Sequence, residues 1–313
     1  MSCARLRDNE SAFDRYKIRT RIMRDLTGLD ASTMMFGRRV KFPFAFSPTA
    51  MHCLAHPDGE IATSKACASM DVAMALSAYS TKPLEDVVAQ SSGNPYVIQM
   101  SLLKNKTAMG DALKRAEAAG FKAVFVTLDV PCLGRRLNEY RNGFSVPPGM
   151  GYPNLYPGAD VSNLDDSDEN MAYDPSFEWQ SMIAFFRENT SMQIWGKGIS
   201  GALDAEEAIK CGLDGIVISN HGGRQLDSAP ATLHVLREVA AVVDGRIPIG
   251  IDGGIRRGTD IFKALALGAS FCMAGRPALW GLAYGGQAGV ELALNLLYDE
   301  FVTTMMLSGC VSP

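Results

Sequence analysis

The sequence predicts an α/β protein with a (β/α)8 TIM barrel, and two observations lead to that prediction. Eight short apolar runs alternate with helix-like segments, and eight such units in about 260 residues match the size of this barrel. A doubly wound sheet would more often have about five to seven strands and a switch in strand order. No stretch rich in proline, glycine or serine divides the chain. Residues 1–313 are therefore predicted to form one domain, in which 1–40 lead into the barrel.

The predicted strands are short runs rich in β-branched and other apolar residues, as buried parallel strands are. They are Phe44–Ala50, Val72–Ala78, Tyr96–Ser101, Ala123–Asp129, Gln193–Gly198, Gly215–Asn220, Ile247–Gly253 and Phe271–Arg276. The predicted helices cover 58–70, 83–91, 105–119, 178–189, 204–211, 231–243, 257–267 and 286–305. Acidic residues after Asp204, and glycines such as Gly120 and Gly212 behind helical runs, are typical signals of helix ends.

Composition and chain ends narrow the class of protein. The net charge of −4 gives no reason to expect nucleic acid or an anionic membrane as a partner, and no apolar run is long enough to span a bilayer. The first residues do not resemble a secretory signal and the last do not form a peroxisomal address, so a cytoplasmic location is expected. Seven widely spaced cysteines without a C-x-x-C pair favour reduced thiols over disulfides or a zinc site.

One predicted connection is unusually long. Residues 135–177 separate the fourth strand from its helix, and they are rich in proline, glycine and acids, including an acidic cluster at 165–169. Loops of this length are usually functional or disordered. Because the loop leaves the carboxyl end of a barrel strand, we expect a partly mobile lid; an insertion without a role is the alternative.

The most informative stretch is 216–227, where a β-branched run ends in a polar turn. Barrel enzymes place their active sites at the carboxyl ends of the strands. His221 could move a proton near neutral pH, and Arg224 could grip a carboxylate with two parallel hydrogen bonds. Gly222 and Gly223 would let the backbone approach a flat ligand. The turn therefore predicts a base beside an anion site.

Two other turns predict a phosphate site. The seventh strand ends in the glycine- and arginine-containing stretch 252–257, and the eighth ends in Gly275-Arg276-Pro277. Barrels commonly bind phosphate at the loops after strands seven and eight, where glycines expose N–H groups and arginines supply charge. Either turn alone would also fit an ordinary connection with solvated arginines, but the two together predict a phosphate-bearing cofactor.

Three more polar residues lie at or near strand ends. Lys197 could stabilise negative charge on a substrate or cofactor, form a Schiff base, or take part only in a structural ion pair. Asp129, if it lies beside His221, would favour the protonated imidazole and orient the ring. Arg136 could be a second contact for a carboxylate.

Two patterns carry little weight. Residues 196–201 match G-x-G-x-x-G, but they fall in the fifth unit, whereas a dinucleotide-binding unit would normally open its domain. His52 and His56 are four residues apart, but no glutamate follows His52, so no metal site is expected there.

Together the motifs resemble those of the FMN-dependent α-hydroxy-acid oxidases and dehydrogenases, a family that includes glycolate oxidase, lactate oxidase, mandelate dehydrogenase and flavocytochrome b2. The turn at 219–227 (Ser-Asn-His-Gly-Gly-Arg-Gln-Leu-Asp) resembles the family's active-site signature. Further motifs match in the same order at 48–51, 127–129, 133–136, 252–258 and 275–277. The resemblance covers about residues 9–311, and it implies FMN as cofactor and a homotetramer.

The resemblance also implies a role for each polar residue. Those expected around the isoalloxazine and ribityl chain are Pro48, Thr49, Ala50, Ser77, Gln99, Thr127, Lys197 and Ser219. Those expected at the ribityl and phosphate end are Asp252, Gly253, Gly254, Ile255, Arg256, Gly275 and Arg276. His221 would take the proton of the substrate hydroxyl, and Asp129 would support its protonated form. Arg224, with Arg136, would hold the carboxylate, and Lys197 would stabilise the anionic reduced flavin.

The chain departs from the family pattern around the substrate. Members usually carry a further N-terminal segment with a helix that bears a substrate-contacting tyrosine, and that helix is expected to be missing here. A second tyrosine usually lies two residues after the flavin-contacting glutamine, where this chain has Ser101, and Tyr79 replaces a frequent tryptophan. Two lost charge-assisted hydrogen bonds, each worth about 1.5–3 kcal/mol, would slow oxidation of a small hydroxy acid by about two to four orders of magnitude. The vacated volume could instead admit a larger substrate.

Three functions remain open. The leading one is FMN-dependent oxidation of a 2-hydroxy acid to a 2-oxo acid, with dioxygen or another acceptor reoxidising the flavin. A repurposed member could act on a larger, secondary-metabolite substrate, with oxidative decarboxylation as a further possibility. A catalytically weak flavin-binding remnant is the third, and the retained His221, Arg224, Lys197 and Asp129 disfavour it.

Overall fold

Eight parallel strands close into a barrel in the computed structural model, which describes residues 3–159 and 171–313. A hairpin of β1 (Thr33–Met35) and β2 (Arg38–Val40) precedes them. The barrel strands are β3 (Phe44–Phe46), β4 (Ala73–Ser77), β5 (Tyr96–Ser101), β6 (Ala123–Thr127), β7 (Gln193–Ile199), β8 (Gly215–Ile218), β9 (Ile249–Ile251) and β10 (Phe271–Ala274). Each barrel strand pairs with the next in the chain, and β10 pairs with β3. The predicted (β/α)8 barrel is confirmed.

The strands are apolar on both faces because each face is covered. Residues that alternate along β6 show this: Ala123 and Phe125 pack in the barrel interior, whereas Val124 and Val126 pack in the layer between strands and helices. The interior cluster continues through Val97, which lies on the neighbouring strand β5. Most predicted strands end two or more residues too late, because their last residues leave the sheet to enter the loops at the carboxyl end.

Ten helices are described. They are α1 (Cys3–Asp14), α2 (Gly59–Ser69), α3 (Leu84–Val88), α4 (Lys106–Ala118), α5 (Leu137–Arg141), α6 (Trp179–Asn189), α7 (Ala202–Lys210), α8 (Thr232–Val243), α9 (Gly258–Ala266) and α10 (Arg276–Ser308). The predicted last helix, 286–305, corresponds to the second part of α10, and the first part was not predicted. Helix α10 begins ten residues earlier with Pro277 in its first turn, where its missing N–H costs nothing, and Gly285 and Gly286 break it. No described helix is long and apolar enough to cross a membrane.

The lead-in 1–40 contains structure that the sequence analysis did not predict. Helix α1 packs near the loops that follow β8 and β9, since the carboxamides of Asn9 and Asn220 bond to each other. The hairpin closes the opposite, amino end of the barrel. Its tip residue Phe36 lies 5.2 Å from the Trp195 ring and 5.6 Å from that of Phe271, measured between centroids.

Part of the expected lid can be placed. Helix α5 lies near the start of 135–177, and Tyr173 near its end forms an antiparallel bridge with Leu103. The acidic cluster 165–169 lies outside the described residues. Whether the segment moves as a lid stays a prediction.

Candidate active site

A cavity of about 580 Å³ lies at the carboxyl end of the barrel and gathers nearly all of the predicted site residues. Those that line it are Pro48, Thr49, Ala50, Ser77, Gln99, Thr127, Arg136, Lys197, His221, Arg224, Asp252, Gly253, Gly254, Ile255, Arg256, Gly275 and Arg276. Two predicted residues lie directly behind the wall, where Asp129 contacts His221 and Ser219 contacts Lys197. The structure therefore brings the whole predicted set together.

Among the described residues, Lys197 is the only lysine that lines the cavity, and two neighbouring side chains hold its amino group in place. Its Nζ donates to Ser219 Oγ at 2.9 Å and lies 3.3 Å from Asp252 Oδ2. Ser219 Oγ in turn donates to Asp252 Oδ1 at 2.6 Å. Lys197 and Asp252 are buried, and a buried charge needs such a partner. The ion pair considered from the sequence is present, and it holds the Lys197 amino group at the cavity wall.

A row of polar side chains crosses three neighbouring strands. Ser77 on β4 donates to Gln99 Oε1 at 3.1 Å. Gln99 Nε2 on β5 donates to Thr127 Oγ1 on β6 at 2.9 Å and to Ser101 Oγ at 3.3 Å. Parallel register places Ser77 opposite Gln99, and Ser101 opposite Thr127. The row offers a flat ligand both donors and acceptors along one edge.

The predicted phosphate end has two close arginines and a glycine turn. Gly253 and Gly254 adopt φ values of 94° and 89°, which L residues with a side chain rarely reach. Arg256 Nη2 lies 2.7 Å from Glu10 of α1, and Arg276 Nη2 donates to the Gly222 carbonyl at 3.1 Å. Burial and the charge of Arg256 lower the pKa of Arg276. An anion at this end would relieve that repulsion.

His221 sits in a constrained turn. Its φ is 56°, in the left-handed region that residues other than glycine rarely adopt. The turn is held by Asn220, whose Oδ1 accepts from the Gly223 N–H at 3.1 Å, and by Ser219 Oγ, which accepts from the His221 N–H at 3.1 Å. Backbone strain kept at one residue by surrounding bonds is typical of functional sites.

Asp129 faces His221 from behind. Its Oδ1 lies 3.5 Å from His221 Nδ1, which is long for a hydrogen bond, so the attraction is mainly electrostatic. Burial raises the pKa of Asp129, but the interaction with His221 and the charge of Lys197 outweigh that effect, and the net pKa is lowered. Asp129 is therefore ionised at neutral pH, as support for an imidazolium requires.

Several buried polar atoms at the site lack a hydrogen-bond partner among the described residues. They include both carboxylate oxygens of Asp129, His221 Nδ1, and the Nε atoms of Arg136 and Arg224. Unpaired buried groups are costly, and such clusters call for a ligand or water. The cavity fits a flat, phosphate-bearing cofactor together with a carboxylate. It offers the polar row and the lysine to the flat part, the glycine–arginine turns to the phosphate, and unpaired arginine N–H groups to the carboxylate.

Comparison with known proteins agrees with this chemistry. The family model described as FMN-dependent dehydrogenase matches residues 1–313. The chain belongs to the FMN-dependent dehydrogenase family. FMN is accordingly its cofactor, and the row at Gln99, the cation at Lys197 and the glycine–arginine turns are the residues that would hold it.

Relatives of this FMN-dependent dehydrogenase cover nearly all of the chain. Oxidase FUB9 of Gibberella moniliformis is 51% identical over 309 residues, which are 97% of this chain and 80% of the relative. The 2-hydroxyacid oxidase 1 of Homo sapiens is 42% identical over 314 residues, with 97% and 85% covered. A crystal structure of mandelate oxidase with 3,3-difluoro-2-hydroxy-3-phenylpropionic acid superposes with a TM-score of 0.90 at 38% identity, covering 100% of this chain and 88% of that one.

The sequence analysis missed several residues that reach this dehydrogenase site. Glu139 and Tyr173, both from the lid segment, line the cavity. Tyr79, which the sequence analysis noted in place of a frequent tryptophan, also lines the cavity and packs edge-on against Tyr152, with ring centroids 5.3 Å apart. Burial, reinforced by Tyr173, raises the pKa of Tyr79 well above its ordinary value, so its phenol stays protonated. Glu139 lies three residues after Arg136, and that spacing could have drawn attention to it.

The described histidine, cysteine and acidic side chains do not form a candidate metal site. Within residues 3–159 and 171–313, no group of three or more histidine, cysteine, aspartate or glutamate side chains is placed to hold a metal ion. His52 is buried and contacts Thr63 through Nδ1 at 3.0 Å, and burial lowers its pKa. The His52 side chain therefore has a packing role in this structure.

Proposed function

We propose that this family member oxidises a 2-hydroxy acid to the 2-oxo acid, with His221 as the base. The observation that supports this most is the joint position of His221, Arg224 and Arg136 on the wall of the cavity that the predicted FMN residues also line. Relatives named 2-hydroxyacid oxidase and mandelate oxidase support the same reaction class.

Each charged side chain of the site has its own role in the proposed reaction. Arg224 and Arg136 bind the substrate carboxylate through their guanidinium N–H groups. Asp129 faces Nδ1 of His221, which leaves Nε2 as the nitrogen that takes the hydroxyl proton, and the aspartate then stabilises the imidazolium. Lys197 contributes a fixed positive charge at the cavity wall. FMN, when bound, accepts the hydrogen and electron pair from the substrate carbon.

Anaerobic spectra test the proposal. The FMN-loaded protein is mixed with a panel of 2-hydroxy acids from glycolate to bulky aryl acids, and then exposed to air. Bleaching of the flavin by at least one acid, with return of colour in air, is expected. A flavin that stays oxidised with every acid would overturn the proposal and favour the flavin-binding remnant.

A larger substrate is a second candidate, because apolar side chains also line the cavity. They include Met51, Leu54, Phe144 and Tyr152, and Ser101 is small where the family usually has tyrosine. The same panel discriminates the two: a bulky acid should reduce the flavin at least about tenfold more efficiently than glycolate. Efficient bleaching by glycolate or lactate at millimolar concentration would argue against the larger substrate.

Three further proposals accompany the reaction. Dioxygen or another small acceptor reoxidises the flavin, and stopped-flow mixing of reduced protein with air-saturated buffer measures the rate.

Residues 135–177 act as a lid, which the position of Glu139 and Tyr173 on the cavity wall supports. Tryptic cleavage within 135–177 should slow when a carboxylate binds. The homotetramer and the cytoplasmic location stay predictions, of which sedimentation can test the first.

A further inference from the structure

Glu139 lies between the two arginines that are proposed to hold the substrate. Its Oε1 is 3.1 Å from Arg224 Nη2 and 3.6 Å from Arg136 Nη1. The two arginines come from different parts of the chain, Arg136 just before α5 and Arg224 in the turn after β8. One carboxylate oxygen thus joins two guanidinium groups that would otherwise repel each other.

The charges explain why a carboxylate belongs there. Burial and the neighbouring Arg136 lower the pKa of Arg224 to about 10, while Glu139 opposes that effect. Arg224 therefore remains charged at neutral pH. Arg276 also acts on Arg224 but is assigned to the cofactor phosphate. Arg136, Arg224 and Glu139 then leave a single positive charge, which matches a substrate with one carboxylate and disfavours a substrate with two.

The contacts of Glu139 leave other guanidinium N–H groups of the two arginines unpaired among the described residues. Glu139 contacts terminal Nη atoms, whereas Nε of Arg136 and Nε of Arg224 are buried without a hydrogen-bond partner in the described part of the chain. A second, smaller cavity of about 190 Å³ lies against the same side chains, lined by Arg136, Asn138, Glu139, Arg224 and Arg276. Glu139 places negative charge at this recess, into which a second carboxylate of a substrate could otherwise reach.

Residues 132–134, which lead into the segment 135–177, are hydrogen-bonded to Gln225 in the turn after β8. The approach of Arg136 to Arg224 therefore does not depend on Glu139 alone. Gln225 Oε1 accepts from the Gly134 N–H at 3.1 Å, and Gln225 Nε2 donates to the Cys132 carbonyl at 2.9 Å. A Cβ on Gly134 would lie 2.7 Å from the Gln225 Cα, so the two backbones touch. This contact brings Arg136 and Arg224 together. Glu139 offsets part of their positive charge and orients their guanidinium groups.

We propose that Glu139 is a specificity-determining residue that makes the two-arginine subsite selective for monocarboxylates. This inference rests on the proposed function, since it assumes that Arg136 and Arg224 bind the substrate carboxylate. Glu139 does so by holding the two guanidinium groups together and by repelling a second carboxylate at the recess.

Binding of two matched probes tests the inference without turnover. Propionate and malonate have three carbons each and differ in one carboxylate, and their dissociation constants are read from perturbation of the flavin spectrum of the FMN-loaded protein. Glu139→Gln should shift the affinity ratio towards malonate by at least about tenfold, the effect of one unit charge about 4 Å away in a site screened almost as strongly as water. Glu139→Asp keeps the charge and should keep most of the selectivity.

Glu188→Gln is the matched control, because it removes one negative charge from an exposed position on α6. Its affinity ratio should equal that of the unmodified protein. An unchanged ratio in Glu139→Gln, with both probes still bound, would overturn this inference and leave the proposed function standing. Failure of both probes to perturb the flavin of the unmodified protein would overturn both.

Discussion

The two ends of the barrel are built from the same strands with opposite chemistry. At the amino end, Phe36, Phe125, Trp195 and Phe271 pack their rings against one another, with centroids 5.2–5.9 Å apart. At the carboxyl end, buried charges and unpaired N–H groups surround a cavity. The apolar end stabilises the fold, and the polar end holds strained and unpaired groups that such stability makes tolerable.

The period of a β-strand explains how one strand serves both ends. Side chains two residues apart lie on the same face, so Trp195 and Lys197 on β7 both face the barrel interior, one at each end. Phe125 and Thr127 repeat this relation on β6, where the aromatic residue belongs to the interior cluster and the threonine to the cavity wall. Substitutions at the two ends should therefore separate stability from chemistry.

The largest effect is expected from removing the base. His221→Ala should lower the rate of flavin reduction by about 10²- to 10⁴-fold, the usual contribution of a general base. FMN content and melting temperature should change little, since the imidazole only borders the cavity. Stopped-flow reduction with the best acid of the panel measures the rate. His234→Ala, on the outer helix α8, is the matched control, and an equal loss there would contradict the assignment.

A large loss of stability is expected at the opposite end. Phe36→Ala removes the ring that covers Trp195, Phe125 and Phe271, and truncation of a packed phenylalanine costs about 3 kcal/mol. Chemical denaturation measures the free energy of unfolding, with Met34→Ala, exposed on the same hairpin, as the control. The rate of flavin reduction in the folded variant should stay within about twofold. A large fall in that rate would show that the two ends are not separable.

Asp129→Asn should have an intermediate effect on the rate of flavin reduction, and it should change how the melting temperature depends on pH. Loss of the carboxylate behind His221 should slow flavin reduction by about 10- to 100-fold. The pKa of Asp129 is lowered from its ordinary 3.8, so the ionised form stabilises the fold above pH 3.8, and that contribution is lost as the pH falls through the folded pKa. Melting temperatures of the two proteins should differ by a constant amount above pH 3.8 and converge below it. A difference independent of pH would contradict this.

The sequence alone predicted the positions of those site residues that lie at the ends of barrel strands and have a recognisable local chemistry. The glycines 253 and 254, the arginines after the last two strands, and Lys197 at the end of β7 could all be placed because parallel strands bring their carboxyl ends together. Most predicted strands were too long at that end, since they included the polar and glycine residues, such as 219–220 and 252–253, that leave the sheet to form the loops of the site.

Contacts that do not follow from the order of the barrel strands could not be predicted. Nothing in residues 1–40 shows a period or motif that would pair Asn9 with Asn220, 211 residues away. The same holds for Phe36, whose role depends on a hairpin that folds across the amino end of the barrel. Glu139 carried a partial signal through its spacing from Arg136, but its contact with Arg224 depends on how two loops meet.

The smallest predicted effect tests whether helix α1 belongs to the polar end. Asn9 Nδ2 donates to Asn220 Oδ1 at 2.9 Å, and Asn9 Oδ1 accepts from Asn220 Nδ2 at 2.8 Å, while a Cβ on Gly254 would collide with the Asn9 carbonyl oxygen. Asn9→Ala should cost about 1–2 kcal/mol because it leaves a buried amide short of partners. FMN should also dissociate faster, because the helix supports both the His221 turn and the glycine turn. Flavin fluorescence on dilution measures the release, and Ser11→Ala, exposed on the same helix, should leave it unchanged. Faster FMN release in Asn9→Ala alone would assign α1 to the active site, whereas equal release in both variants would restrict the helix to packing.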